Sequence, residues 1–160
     1  MARDAALKPP PPAPAISDAT LREFTGYNMK RAFMVIQADV TRTLEPFGLR
    51  MVTYSALAIV GDNPGLSQSQ LAAALAIERP NLVVIVDELE GRDLVNRDRV
   101  PTDRRTYALR LTTEGARLLA RATEAVRGHE ARMIAGIGKS EEATLIACLN
   151  RIEASETGRN

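Results

Sequence analysis

The stretch Leu66–Gly115, LSQSQLAAALAIERPNLVVIVDELEGRDLVNRDRVPTDRRTYALRLTTEG, carries two short helical patterns and then two strand patterns. Ser67 followed three residues later by Gln70 is a capping box, in which two side chains satisfy free amide donors at a helix start. Leu71, Ala72 and Leu75 form the inner face of that helix. Arg79-Pro80 then opens a second helix, because proline in a first turn gives up no hydrogen bond. This helix runs to about Glu90 on a core face of Leu82, Ile85, Val86 and Leu89. Two short helices with a tight connection predict a helix-turn-helix, whose second member fits a major groove about 12 Å wide. After Gly91, Leu94–Arg99 and Arg105–Leu111 read as strands around Val100–Arg104. Tyr107, Leu109 and Leu111 lie on one face, with Ala108 and Arg110 on the other, which predicts a β-hairpin wing.

The charge in this stretch is local. Between Arg92 and Arg110 stand six arginines (Arg92, Arg97, Arg99, Arg104, Arg105, Arg110) and three aspartates, a net +3 in a chain whose net charge is only +1. Arginine can follow phosphates or enter a narrow minor groove. The same residues also suit a solvated hairpin of alternating ion pairs.

Outward from this centre the pattern is helical. One long helix is expected from a cap at Ser17 or Asp18 to the stop Glu45-Pro46-Phe47-Gly48. Leu21, Met29, Ala32, Ile36, Val40 and Leu44 make one apolar stripe, with Phe24, Tyr27, Met34 and Val35 beside it. Thr53–Val60 reads as a further helix, closed by Gly61-Asp62-Asn63-Pro64-Gly65. Beyond the wing, Thr112-Thr113-Glu114 caps a long helix broken at Gly136 and Gly138. Ser140 is expected to cap a last helix burying Leu145, Cys148, Leu149 and Ile152. The terminal helices carry more apolar surface than a small monomer covers, which points to dimerisation.

The expected fold is therefore mainly α with a small β-hairpin wing: a winged helix-turn-helix flanked by N- and C-terminal dimerisation helices. Residues 1–16, holding five of the nine prolines, read as a disordered leader. Residues 17–160 read as one domain, with dimerisation helices at 17–50 and 116–156 and the winged helix-turn-helix at 51–115.

Composition excludes much. A chain of 160 residues, 45% hydrophobic and 26% charged, has the make-up of a soluble globule, and its longest aliphatic run, Leu82–Val86, cannot span a bilayer. One cysteine, Cys148, and one histidine, His129, leave no disulfide framework and no Cys/His metal cluster. No nucleophile motif accompanies His129, so no enzyme, metal or cofactor is expected. Without a secretory signal pattern, a cytoplasmic location is expected.

The segment VDELEGRDLVNRDRVPTDRRTYALRLTTEG resembles the winged helix-turn-helix of the MarR family of bacterial transcriptional regulators. It matches the family's leucine-glutamate end of the recognition helix, first wing strand ending in arginine, aspartate-x-arginine wing tip and leucine-threonine-x-x-glycine helix start. With its helical frame the resemblance covers roughly Asp18–Ile152. It implies a homodimer on a double-stranded operator with inverted half-sites. At the wing it implies that Asp103 pairs with Arg105 and that Arg105, with Arg104 beside it, enters the minor groove. On the recognition helix, Val83 and Val84 stand where the family often has threonine and arginine. They can meet thymine methyl groups, or another protein surface, leaving Arg79 and Asn81 for polar contact. Ser67, Gln68, Arg97 and Arg99 complete the candidate DNA contacts. Asp93 stands where glycine is usual, with Gly91 displaced two positions earlier.

The resemblance also implies a small aromatic, anionic effector between the dimerisation helices and the winged domain. GYNMKRAFMVIQADVTRTL resembles regulators of aromatic-acid breakdown and favours a hydroxycinnamoyl-type coenzyme A thioester. From the residues themselves, Arg31 among Phe24, Tyr27 and Met34, with Tyr54 on the next helix, suits an aromatic ring bearing a carboxylate or phosphate. Arg31 equally suits packing along its stem with its head paired to a glutamate. Two other functions fit the same fold: thiol-based redox sensing through Cys148, and a winged-helix module that binds protein.

Overall fold

The computed structural model describes residues 16–157 except 101–102; the side chains of 99–106 and 156–157 lie outside that description. Residues 1–15 of the expected leader, and the tip of the wing, also lie outside it. The chain divides into two compact units, residues 1–35 and 36–160.

In the first unit the expected single helix is two. Helix α1, Ala19–Arg22, ends in tight bonds from Glu23 N to Thr20 O and from Phe24 N to Leu21 O, after which α2, Thr25–Leu44, begins. The Asn28 amide explains the break, donating to the Arg22 and Phe24 carbonyls at 2.8 and 2.9 Å where the chain leaves helical bonding. Arg22 Nε and Tyr27 Oη both donate to Asp18 Oδ2, at 3.0 and 2.7 Å.

The second unit holds the end of α2, a 3-10 turn at Glu45–Phe47, α3 (Met51–Asp62), β1 (Leu66–Ser67), α4 (Gln68–Ala74), α5 (Arg79–Gly91), β2 (Val95–Val100), β3 (Asp103–Leu111), α6 (Thr113–Met133) and α7 (Lys139–Thr157). The strands form one antiparallel sheet in the order β1-β3-β2, with Leu66 opposite Leu109 and Val95 opposite Leu111. The two-residue β1 has too short a pattern to read from the sequence. Leu44, Leu57, Leu71, Leu82, Leu89 and Leu109 are fully buried and join α2, α3, α4, α5 and the sheet in one core. Each contributes roughly 1.5–3 kcal/mol by leaving water.

Local chemistry sets the ends of these elements. The Ser67 capping box forms as expected: Gln70 N donates to Ser67 Oγ, and Ser67 N to Gln70 Oε1 at 2.8 Å. Thr112 Oγ1 accepts from Gly115 N at 2.9 Å and caps α6. A Cβ on Gly115 would stand 2.0 Å from the Leu94 carbonyl oxygen, so only glycine lets α6 start this close to the wing. Asp93, in place of the family's glycine, takes the left-handed conformation all the same, at φ 55°. Ala76, in the turn between α4 and α5, does so at φ 51°, a strained choice for a residue with a Cβ.

Two expectations for the last helix change. Helix α7 begins at Lys139, so Ser140 lies inside it; Glu141 instead folds back to accept from Gly138 N at 2.8 Å. Leu145, Leu149 and Ile152 are exposed in the single chain rather than buried, and Cys148 is half-buried.

His129, the lone histidine, is buried on α6, and its Nδ1 lies 2.7 Å from Asp39 Oδ2 on α2. Arg42 and Arg132 reach the same carboxylate at 3.0 and 3.2 Å. The hydrogen bond from His129, and then those from the two arginines, hold the Asp39 carboxyl well below the usual carboxylate range, against the opposing effect of burial.

Candidate nucleic-acid interface

Helices α4 and α5 meet at 110°, within the range of a helix-turn-helix. The buried stripe Leu82, Ile85, Val86 and Leu89 turns the opposite side of α5 to solvent, as the sequence spacing requires. That outer side begins with Arg79, Asn81, Val83 and Val84, all exposed; Val83 is 43% and Val84 64% accessible. Two β-branched apolar side chains that leave this much surface to water are suited to contact with methyl groups of bases.

Beside them lies a depression of about 270 Å³ lined by Ser67, Gln68, Ser69, Arg79, Val83 and Tyr107. It brings four of the sequence-predicted contacts, Ser67, Gln68, Arg79 and Val83, to one surface. The Arg79 guanidinium donates to Ser69 Oγ, which fixes its stem across the mouth of the turn.

The arginine-rich wing divides into different roles. Arg97, expected among the DNA contacts, turns back onto α5 and pairs with Asp87 and with Glu90 (3.2 Å). Arg110 pairs with Asp98 at 3.3 Å. Arg92 leaves the wing altogether: Nη1 donates to the Gly48 carbonyl at 2.6 Å and Nη2 to the Phe47 carbonyl at 3.0 Å. Arg99 lies on β2 and Asp103, Arg104 and Arg105 on β3; their side chains lie outside the described residues.

Of the expected effector residues, Phe24, Arg31 and Met34 are exposed in the first unit. Tyr27 is half-buried, its hydroxyl held by Asp18 and its ring 5.5 Å from the Arg22 guanidinium carbon. In the second unit Tyr54 is half-buried and donates to Thr123 Oγ1 of α6 at 3.3 Å. That unit also holds a cavity of about 780 Å³ that the sequence did not reveal. The end of α2 (Gln37, Thr41), the turn Glu45–Arg50, the start of α3 (Met51, Val52, Ser55) and Leu75 line it; Tyr54 does not. Its only sequence signal is polar Gln37 and Thr41 one helical turn apart, just before the helix stop. Cys148 accepts from Arg151 at 3.2 Å.

The MarR family model matches residues 49–107, from just before α3 into β3. A protein from Thauera aromatica named for transcriptional regulation of the hcr operon is 36% identical over 138 residues, covering 84% of this chain and 83% of that protein. This chain belongs to the MarR family. Among solved MarR-like structures, the transcriptional repressor CouR bound to a 23-mer DNA duplex is 36% identical, with a TM-score of 0.83 over 87% of this chain and 99% of that one. CouR bound to p-coumaroyl-CoA is 34% identical, with a TM-score of 0.78 over 87% and 98%. In the MarR family frame α4 and α5 are the helix-turn-helix and β2 and β3 the wing. No single helix among the described residues is long and apolar enough to cross a membrane.

Proposed function

We propose that this chain is a homodimeric, ligand-responsive repressor that occupies an inverted-repeat DNA operator and leaves it on binding an anionic aromatic compound, with a hydroxycinnamoyl-coenzyme A thioester as the preferred form. The observation that carries this reading is the likeness to CouR over 87% of the chain, CouR having been solved both on a duplex and with p-coumaroyl-CoA. The exposed Leu145, Ile146, Leu149 and Ile152 of α7 support a partner copy, since such a face favours burial. In this reading Asn81, Val83 and Val84 meet base edges, and Ser67, Gln68 and Arg79 meet the backbone. Arg99, Asp103, Arg104 and Arg105 serve at the wing, while Arg97 acts indirectly by holding β2 on α5. Phe24, Tyr27, Arg31, Met34 and Tyr54 remain candidates for the aromatic and anionic ends of the effector, and the cavity at the Glu45–Arg50 turn offers room of ligand size. The ligand is sensed and released unchanged.

The test is selection of duplexes from a random library with the full chain, then titration of a labelled winner with salt and with p-coumaroyl-CoA. The expected winner has half-sites about one helical turn apart. Its affinity falls steeply with salt, and the thioester weakens it by roughly 5- to 150-fold. Selected sequences without two-fold symmetry, or a complex indifferent to saturating thioester, would count against the proposal.

A further inference from the structure

The turn Glu45–Arg50 does two things at once. It forms one wall of the 780 Å³ cavity through Glu45, Gly48, Leu49 and Arg50. It also holds the far end of the recognition helix at two points: Arg50 pairs with Glu88, and the Phe47 and Gly48 carbonyls accept both outer nitrogens of Arg92. Of the two links, Arg50 to Glu88 is an exposed ion pair, screened and weak. The Arg92 link is a two-pronged, charge-assisted one in which a planar fork meets two successive carbonyls, so it fixes orientation as well as distance. Gly48 makes it possible by turning left-handed at φ 61°, and even an added Cβ there would stand only 3.3 Å from the guanidinium. Leu49, buried beside it, keeps the turn from moving independently of the core.

We infer that Arg92 is the positioning residue that carries occupancy of this cavity to the recognition helix: an occupant that shifts the Phe47–Gly48 carbonyls re-aims the end of α5 through the Arg92 fork. This rests on the ligand-responsive reading above and adds the residue that couples its two sites. Arg92 faces the turn and not the outer side of α5, so its role is separable from contact with either ligand.

The experiment compares the parent, Arg92→Ala and Arg92→Lys, each shown to unfold cooperatively. Three quantities are measured: affinity for p-coumaroyl-CoA alone, affinity for the selected duplex alone, and duplex affinity under saturating thioester. In Arg92→Ala both single affinities stay within about threefold of the parent, while the release factor collapses from the parent's value, roughly 5- to 150-fold for coupled sites, to below about twofold. Arg92→Lys, whose ammonium is a point charge without the fork, falls between. An Arg92→Ala protein released as readily as the parent, or one that has lost either single affinity, overturns the inference. If the parent itself ignores the thioester, the functional reading fails, and hydrogen exchange decides the coupling separately. Arg92→Ala must then speed exchange in both 45–50 and 79–91, and acceleration in only one of them, or neither, overturns it.

Discussion

The two halves of α5 are built on opposite plans. From Asp87 to Arg92 the charged side chains point to other elements: Asp87 and Glu90 to Arg97 on β2, Glu88 to Arg50 at the start of α3, and Arg92 to the turn after α2. From Arg79 to Val84 only Leu82 is buried, and the outer side presents valine, asparagine and a single arginine to solvent. One half is held and the other is left available. Several links share this end with the buried Leu89, so the loss of any one of them leaves the helix aimed, and none competes with the ligand for the same side chains.

The contrast breaks first at Leu89. Its side chain is 1% exposed in the held half, so Leu89→Ala is expected to lower stability by about 2–5 kcal/mol through lost transfer and a residual cavity, read as a urea midpoint shift. A loss below 1 kcal/mol would mean that the clamped half is not supported by the core. A sharper form of clamping lies at Asp39, whose carboxylate is held by the buried His129 and by Arg42 and Arg132. The folded-state pKa of Asp39 lies below its ordinary 3.8. Its contribution to stability is therefore complete above that value and is lost as pH falls through it toward the folded pKa. Asp39→Asn should be less stable than the parent at pH 6, and the gap should close as urea midpoints are followed below about pH 4. A constant gap across that range would remove Asp39 as the titrating partner. The smallest effect belongs to the open half: Val84→Ala, at 64% exposure, should move stability by no more than about 0.5 kcal/mol while altering preference among selected duplexes. A larger loss of stability would show that Val84 packs within the protein.

Features set by neighbours in sequence were legible in advance. The Ser67–Gln70 box, the Thr112 cap, proline in the first turn of α5 and the α5 core stripe follow from residues at most a few positions apart, and each stands as read. Other helix ends were less so: Asn28 closes α1 with a side-chain bond that mimics no stop signal, and at the start of the last helix Glu141 replaces Ser140 by reaching back to Gly138. Partners distant in sequence were not legible at all. His129 and Asp39 are separated by 90 positions, and Arg92 and Gly48 by 44. A guanidinium in an arginine-rich hairpin looks the same on paper whether it faces phosphate or a carbonyl.

The contact at Gly115 has a mechanical consequence. With Thr112 N donating to the Leu94 carbonyl at 3.1 Å and Thr112 Oγ1 to that of Asp93 at 2.6 Å, the base of the hairpin and the first turn of α6 form a welded corner with no slack for a hinge. Helix α6 has 21 residues, about 31 Å of rod at 1.5 Å per residue. A tilt of roughly 10° about its far end sweeps that corner through about 5 Å, on the geometry of a rod of that length. The hairpin travels with it, so a small rotation at one end of the rod is delivered as a stride at the other.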